Sequence, residues 1–110
     1  MTYELRTYTA THGKRDALLA RFRDYTLDRF AAHGMETIDF WASADNKDVL
    51  IYVLRHTGNP KKNWADFQAD PVWIEAKAAS VVDGEIVAKI ESVFLKPTDL
   101  PTVHGSSSAS

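Results

Sequence analysis

The order of strands and helices constrains this chain more than any other feature of its sequence. Residues 3–9, 36–44, 48–55 and 85–96 read as strands, with helical stretches after the first and the third. An order β-α-β-β-α-β predicts one four-stranded antiparallel sheet with the helices on a single side, an α+β architecture. The other side is left for water, a partner or a ligand.

The local signals place these elements. Tyr3, Leu5 and Thr7 alternate with Glu4, Arg6 and Tyr8, and Thr11-His12-Gly13 ends the strand. From about residue 14 to 33, Leu18, Leu19, Phe22, Tyr25, Thr26 and Phe30 recur at helical spacing, while Arg15, Arg21, Arg23, Asp24 and Asp28 fall mostly off that stripe. Gly34 suits a left-handed cap. Ile38, Phe40 and Ala42 alternate with Thr37, Asp39 and Trp41, and the polar run Asp45-Asn46-Lys47-Asp48 makes strands two and three a hairpin. Residues 49–54 are apolar throughout, the pattern of a strand covered on both faces. Asn59-Pro60 and Asp70-Pro71 each read as a cap followed by the first residue of a helix. Trp64 and Phe67 share a face there, and Val72, Ile74, Ala78 and Val82 extend the packing surface. One domain is expected over 1–97, and 98–110, rich in Pro, Thr and Ser, reads as a flexible tail.

Set side by side, the strands assign Tyr3, Leu5, Ile38, Phe40, Ile51, Val53, Ala88 and Ile90 to the face under the helices. The bare face then carries Glu4, Arg6, Tyr8, Asp39, Trp41, Leu50, Tyr52, Leu54, Lys89, Glu91, Val93 and Leu95. Four strands of eight residues make a face of roughly 500 Å². A mixed surface of that size predicts a homodimer, sheet against sheet about a two-fold axis. Charges enclosed there must pair or bind something polar, and Arg6 with Glu91 is the expected pair. A charge placed at Tyr52 is then expected to split the dimer.

Composition narrows the function. Of 110 residues, 25% are charged with a net charge of −2, and no cluster of Lys and Arg stands out. Nucleic acid and anionic membrane surfaces are therefore not expected partners. There is no cysteine, which excludes disulfides and thiolate chemistry. No apolar run approaches membrane-spanning length and the first residues read directly as a strand, so cytoplasmic residence is expected. The histidines His12, His33, His56 and His104 show no metal-ligand spacing, so neither a metal nor a cofactor is expected. His12, in the loop after strand one, and His33, at the end of helix one, are secondary candidates for ligand contact or proton transfer. His33 also suits the stabilisation of a helix C-terminus. His56 is expected to be solvated, and His104 lies in the tail.

The principal candidates are Arg6, Tyr8, Asp39, Trp41 and Tyr52. Together they offer aromatic walls, an arginine for an anionic or carbonyl oxygen, and a carboxylate base. The same residue types are favoured in protein interfaces for packing alone, so a dimer seam with paired charges is the competing reading. Trp64 and Trp73 are expected to pack helix against sheet.

The run Tyr3-Glu4-Leu5-Arg6-Thr7-Tyr8-Thr9, with Gly13-Lys14 ahead of an amphipathic helix, resembles the opening of NIPSNAP-type proteins. Phe67-Gln68-Ala69-Asp70-Pro71-Val72-Trp73 is similar to a second signature of that group. The likeness covers residues 2–97. It implies a ferredoxin-like fold that pairs into a dimeric α+β barrel. It implies no single chemistry, since related families include cofactor-independent monooxygenases, haem-degrading enzymes, and dehalogenating or isomerising enzymes. The function expected is binding of a small organic molecule, in a cavity between helices and sheet or inside a homodimeric barrel. One alternative is cofactor-independent oxygenation of an aromatic substrate, with Asp39 or a histidine as base and Arg6 holding the enolate oxygen. The other is a non-catalytic dimeric interaction module.

Overall fold

In the computed structural model, which describes residues 1–100, the chain runs β1 (Thr2–Ala10), α1 (Arg15–Arg21), a π-helical segment (Phe22–Thr26), α2 (Leu27–Ala32), β2 (Met35–Ala42), β3 (Val49–His56), α3 (Pro60–Gln68), α4 (Pro71–Ser80) and β4 (Val87–Leu95). The strands form one antiparallel sheet in the order β2-β3-β1-β4. This is the expected ferredoxin-like arrangement. His104 and the tail from residue 101 onward lie outside the described residues. Among the described residues, no helix is long and apolar enough to cross a membrane.

Capping chemistry acts where the sequence places it. The Asn59 side chain accepts from the Lys61 and Lys62 amides ahead of α3, and Asp70 accepts from the Val72 amide ahead of α4. Gly34 takes φ +78° after α2. An added Cβ there would be strained by that backbone angle and would sit 3.1 Å from Asn63 Oδ1, a tight approach that Asn63 would have to yield to.

The π-helical segment has a cause in the spacing of Leu18, Phe22, Thr26 and Phe30, all of them buried. Steps of four residues overshoot a 3.6-residue turn by about 40° each. One wider turn brings the later residues back over the sheet. Thr26 Oγ1 donates to the Arg21 carbonyl at 3.2 Å. The widening also corrects two sequence assignments. Arg21, expected off the buried stripe, is only 8% exposed, whereas Tyr25, expected on it, is 47% exposed. In α4, Trp73 and Ala76 turn inward, and Val72 and Ile74 are left exposed, as is Val82 in the turn that follows.

The larger correction concerns the two faces of the sheet. Arg6 lies opposite Tyr52, Glu4 opposite Leu54 and Tyr8 opposite Leu50. Phe22 sits 5.4 Å from the Tyr8 ring and 5.3 Å from the Tyr52 ring, and Phe40 stacks on Tyr52 at 5.2 Å. Glu4, Arg6, Tyr8, Leu50, Tyr52 and Leu54 therefore face the helices, not the bare side. Asp39, Trp41, Lys89, Glu91, Val93 and Leu95 do occupy the bare side, joined there by Tyr3, Leu5, Ile51 and Val53. Alternation has the same period whichever way a strand is turned, and β3 is apolar on both faces, so hydrophobicity alone does not choose. The choice is made by polar satisfaction: Glu4, Arg6 and Tyr52 find partners only beneath the helices. The expected Arg6–Glu91 pair is accordingly absent. Glu91 sits on the other face, 3.8 Å from Lys89, and Arg6 pairs with Glu4.

Candidate functional site

A buried polar network runs along the helix side of β1. Glu4 is 1% exposed, yet its carboxylate is fully engaged. Oε1 accepts from His56 Nε2 at 2.7 Å and Trp64 Nε1 at 2.8 Å, and Oε2 accepts from Arg6 Nη1 at 2.9 Å and from the Ser92 hydroxyl. The Asn63 amide nitrogen faces the Thr57 and Gly34 carbonyls, so it donates to His56 Nδ1 at 3.2 Å. His56 Nε2 then carries the proton given to Glu4. Burial pushes the Glu4 carboxyl up, but the bonds from Ser92, Trp64, His56 and Arg6 outweigh it and hold the group below its ordinary value.

Arg6 is held on three nitrogens. Besides Glu4, Nε donates to Tyr52 Oη at 2.9 Å and Nη2 to Tyr8 Oη at 3.1 Å, while Tyr52 Oη donates to Tyr8 Oη at 3.0 Å. Its guanidinium stacks 4.1 Å from the Trp64 ring centre. Burial disfavours the charge, but Tyr52, Tyr8 and Glu4 more than compensate, and the guanidinium sits above its ordinary value. Burial drives the Tyr52 phenol far above its own.

Beside this network a cleft of about 240 Å³ opens between the sheet and helices α3 and α4. Tyr8, Trp64, Phe67, Trp73, Val87 and Ile90 wall it, and Arg6, Arg21, Gln68, Lys77 and Glu85 supply its polar groups. Arg21 Nη1 donates to Ser80 Oγ at 3.0 Å, and the guanidinium lies 5.2 Å from the Trp73 ring centre. Its Nε is buried without a partner. Burial draws the Arg21 guanidinium below its ordinary value, against the opposing influence of Tyr8, Glu85 and Tyr52.

Of the five principal candidates, Arg6 and Tyr8 line the cleft, and Tyr52 lies fully buried beneath it with its hydroxyl in the network. Asp39 and Trp41 lie on the opposite face, so an Asp39 base and an Arg6 anion holder are not brought together within one chain. His12 is exposed near Asp48, at 3.6 Å, away from the cleft. His56, expected in solvent, is wholly buried against Glu4. Its position follows β3 parity: Leu50, Tyr52, Leu54 and His56 are alternate residues, all buried. Trp64 does pack helix against sheet, on Arg6 and His56, whereas Trp73 lies against Phe67 and Arg21 of neighbouring helices, and both wall the cleft. Arg21, Lys77 and Glu85 escaped the sequence reading, and only the four-residue spacing of α1 and its continuation hints at Arg21.

His33 is tied to a separate cluster. Its Nε2 lies 2.7 Å from Asp70 Oδ2, which Arg29 also approaches at 3.2 Å. His33 above all, with the Val72 amide and Arg29, draws the Asp70 carboxyl down to about 2 against its burial. A carboxyl depressed on folding adds stability above its unfolded value and loses it as pH falls through the folded one. In thermal melts, Asp70→Asn, which keeps the cap oxygen, is expected to melt lower than the parent at pH 5. The two curves should converge between about pH 4 and pH 2. A constant gap down to pH 2 would remove Asp70 from the acid response.

The comparisons with known proteins agree with this architecture. The NIPSNAP family model matches residues 3–101. No curated protein matches the sequence significantly. A NIPSNAP domain protein from Burkholderia xenovorans is similar in structure at a TM-score of 0.74 and 22% identity, over 93% of this chain and 99% of that one. A NIPSNAP family protein from Agrobacterium tumefaciens superposes at 0.75 with 17% identity, over 91% and 88%. A candidate antibiotic biosynthesis monooxygenase from Nitrosomonas europaea superposes at 0.63 with 14% identity, over 88% and 98%. At these identities the likeness is one of fold.

Proposed function

The chain belongs to the NIPSNAP family, and from that premise we propose that it binds a small organic molecule in the helix-side cleft of each subunit of a homodimer. The observation that carries this reading is an open cleft whose wall is fixed in advance. Arg6 and Trp64 cannot relax into it, because Glu4, Tyr8 and Tyr52 hold them from behind. Preorganised walls of aromatic groups with a few converging donors are what small-molecule sites require. A volume of about 240 Å³ lies below the ~300 Å³ where drug-sized ligands begin, so the occupant is small. The open cleft speaks against a purely structural module. The oxygenation reading loses Asp39 as its base, because that carboxylate lies on the other face from Arg6.

The homodimer rests on the bare face. Leu5, Trp41, Ile51, Val53, Val93 and Leu95 form an apolar surface across all four strands, with Trp41 at 46% and Val93 at 55% exposure in the single subunit. The roughly 500 Å² of the strands alone falls short of the ~800 Å² per partner usual for a stable pair, so contacts at the sheet rim complete the interface. Cytoplasmic residence is part of the proposal and fits a chain with no cysteine to oxidise.

Ile90 tests the site. It is 48% exposed and lies opposite Tyr8, so Ile90→Trp fills the cleft without disturbing the core. In calorimetry with a panel of small aromatic acids and their neutral analogues, the variant is expected to bind at least ~tenfold more weakly than the parent. Its stability should stay within about 0.5 kcal/mol. Undiminished affinity in the filled variant would contradict the assignment.

A further inference from the structure

Resting on that reading, the distribution of charge around the cleft narrows the class of ligand. Arg6 is already matched by Glu4 and two phenols. Arg21 is not: it is 8% exposed, it takes part in no ion pair among the described residues, and one of its nitrogens lacks any acceptor. A buried cation without a counter-charge is a costly arrangement unless an anion joins it. Ser80 holds one end of the guanidinium and Trp73 supports its flat side, so the group is fixed but incomplete. Exposed Lys77 adds a second positive charge at the rim, against the single carboxylate of Glu85. The apolar walls of Trp73, Tyr8 and Ile90 leave room for a ring or short branched chain beside that anion site.

We propose that the cleft takes a small aromatic carboxylate, its carboxylate paired with Arg21 and steered by Lys77, its ring lying along Trp73 and Tyr8. One buried guanidinium matches the single negative charge of a carboxylate. A dianionic phosphate would ask for more donors than the walls provide.

The test is calorimetry on the intact wild-type protein with three probes: phenylacetate, phenylacetamide and phenyl phosphate. Phenylacetate is expected to bind at least ~tenfold more tightly than the isosteric amide. Arg21→Met, which keeps the stem over Trp73, should abolish that preference by weakening phenylacetate far more than phenylacetamide. Lys77→Met, on an exposed position that tolerates change, should weaken phenylacetate several-fold and decides the matter if the Arg21 variant fails to fold. Equal binding of acid and amide by the wild type overturns the carboxylate class but leaves a cleft that binds neutral molecules. Tighter binding of phenyl phosphate overturns it in favour of a phosphate. No binding of the acid, the amide or any member of the aromatic panel removes both the class and the cleft.

Discussion

Replacing Glu4 by leucine is expected to lower the unfolding free energy by roughly 3–5 kcal/mol, although the two side chains are similar in size. The carboxylate accepts from His56, Trp64, Arg6 and Ser92, and it is 1% exposed. Ser92 can rotate its hydroxyl away and Arg6 keeps its two phenol partners. His56 and Trp64 have no such freedom, and each stranded donor costs about 1–3 kcal/mol. The Arg6 charge loses its counter-ion as well. Urea unfolding followed by tryptophan fluorescence would show a lower midpoint at unchanged slope. Combining Glu4→Leu with Arg6→Met should cost less than the sum of the two, since the second change removes a charge the first left unpaired. A neutral Glu4→Leu would mean that the network contributes only volume.

The second large effect separates the two faces. Leu5 sits at the middle of the bare side, between Val53 and Val93 on the flanking strands. It is half-buried in the single subunit. Leu5→Asp places a charge in the proposed seam and should weaken the dimer by roughly 10²–10³-fold while the subunit stays folded. Tyr52→Asp behaves differently. Tyr52 is fully buried under the helices, in ring contact with Phe22, Phe30 and Phe40. Removing the ring alone costs about 3–5 kcal/mol, and the buried carboxylate adds to it. Against a typical domain stability of ~5–15 kcal/mol, this substitution should unfold the subunit, not split the dimer. Sedimentation equilibrium together with circular dichroism distinguishes the outcomes. A Leu5→Asp protein that remains dimeric would place the contact elsewhere.

Element order, caps and the hairpin were legible because their causes are local. Asn59, Asp70 and Gly34 act within a few residues of themselves, and alternation marks a strand wherever it lies. The side of the sheet to which each strand turns was not legible, since its cause is not local. Glu4, Arg6 and Tyr52 look like surface residues until Trp64, His56 and Asn63, which arrive from β3 and α3, are brought over them. In β2 a shift in the ladder between Thr37 and Asp39 changes parity within one strand. Met35 and Phe40 consequently both reach the core, and Ile38, expected under the helices, is 41% exposed. The grouping of Arg6, Tyr8 and Tyr52 survived, because residues of like parity on neighbouring strands stay together whichever way they face. Asp39 and Trp41 separated from them because the shift after Thr37 turns the rest of β2 over.

The three tryptophans give a direct reading of where a ligand sits. Trp64 and Trp73 wall the cleft, whereas Trp41 lies on the bare face. In a ¹H–¹⁵N spectrum the chain has three indole signals, and a titration with phenylacetate or phenylacetamide shifts those nearest the bound ring. The Trp73 and Trp64 signals are predicted to move in a saturable manner while Trp41 stays still. Movement of Trp41 alone, with the other two unaffected, would put the ligand between the sheets and contradict a site under the helices.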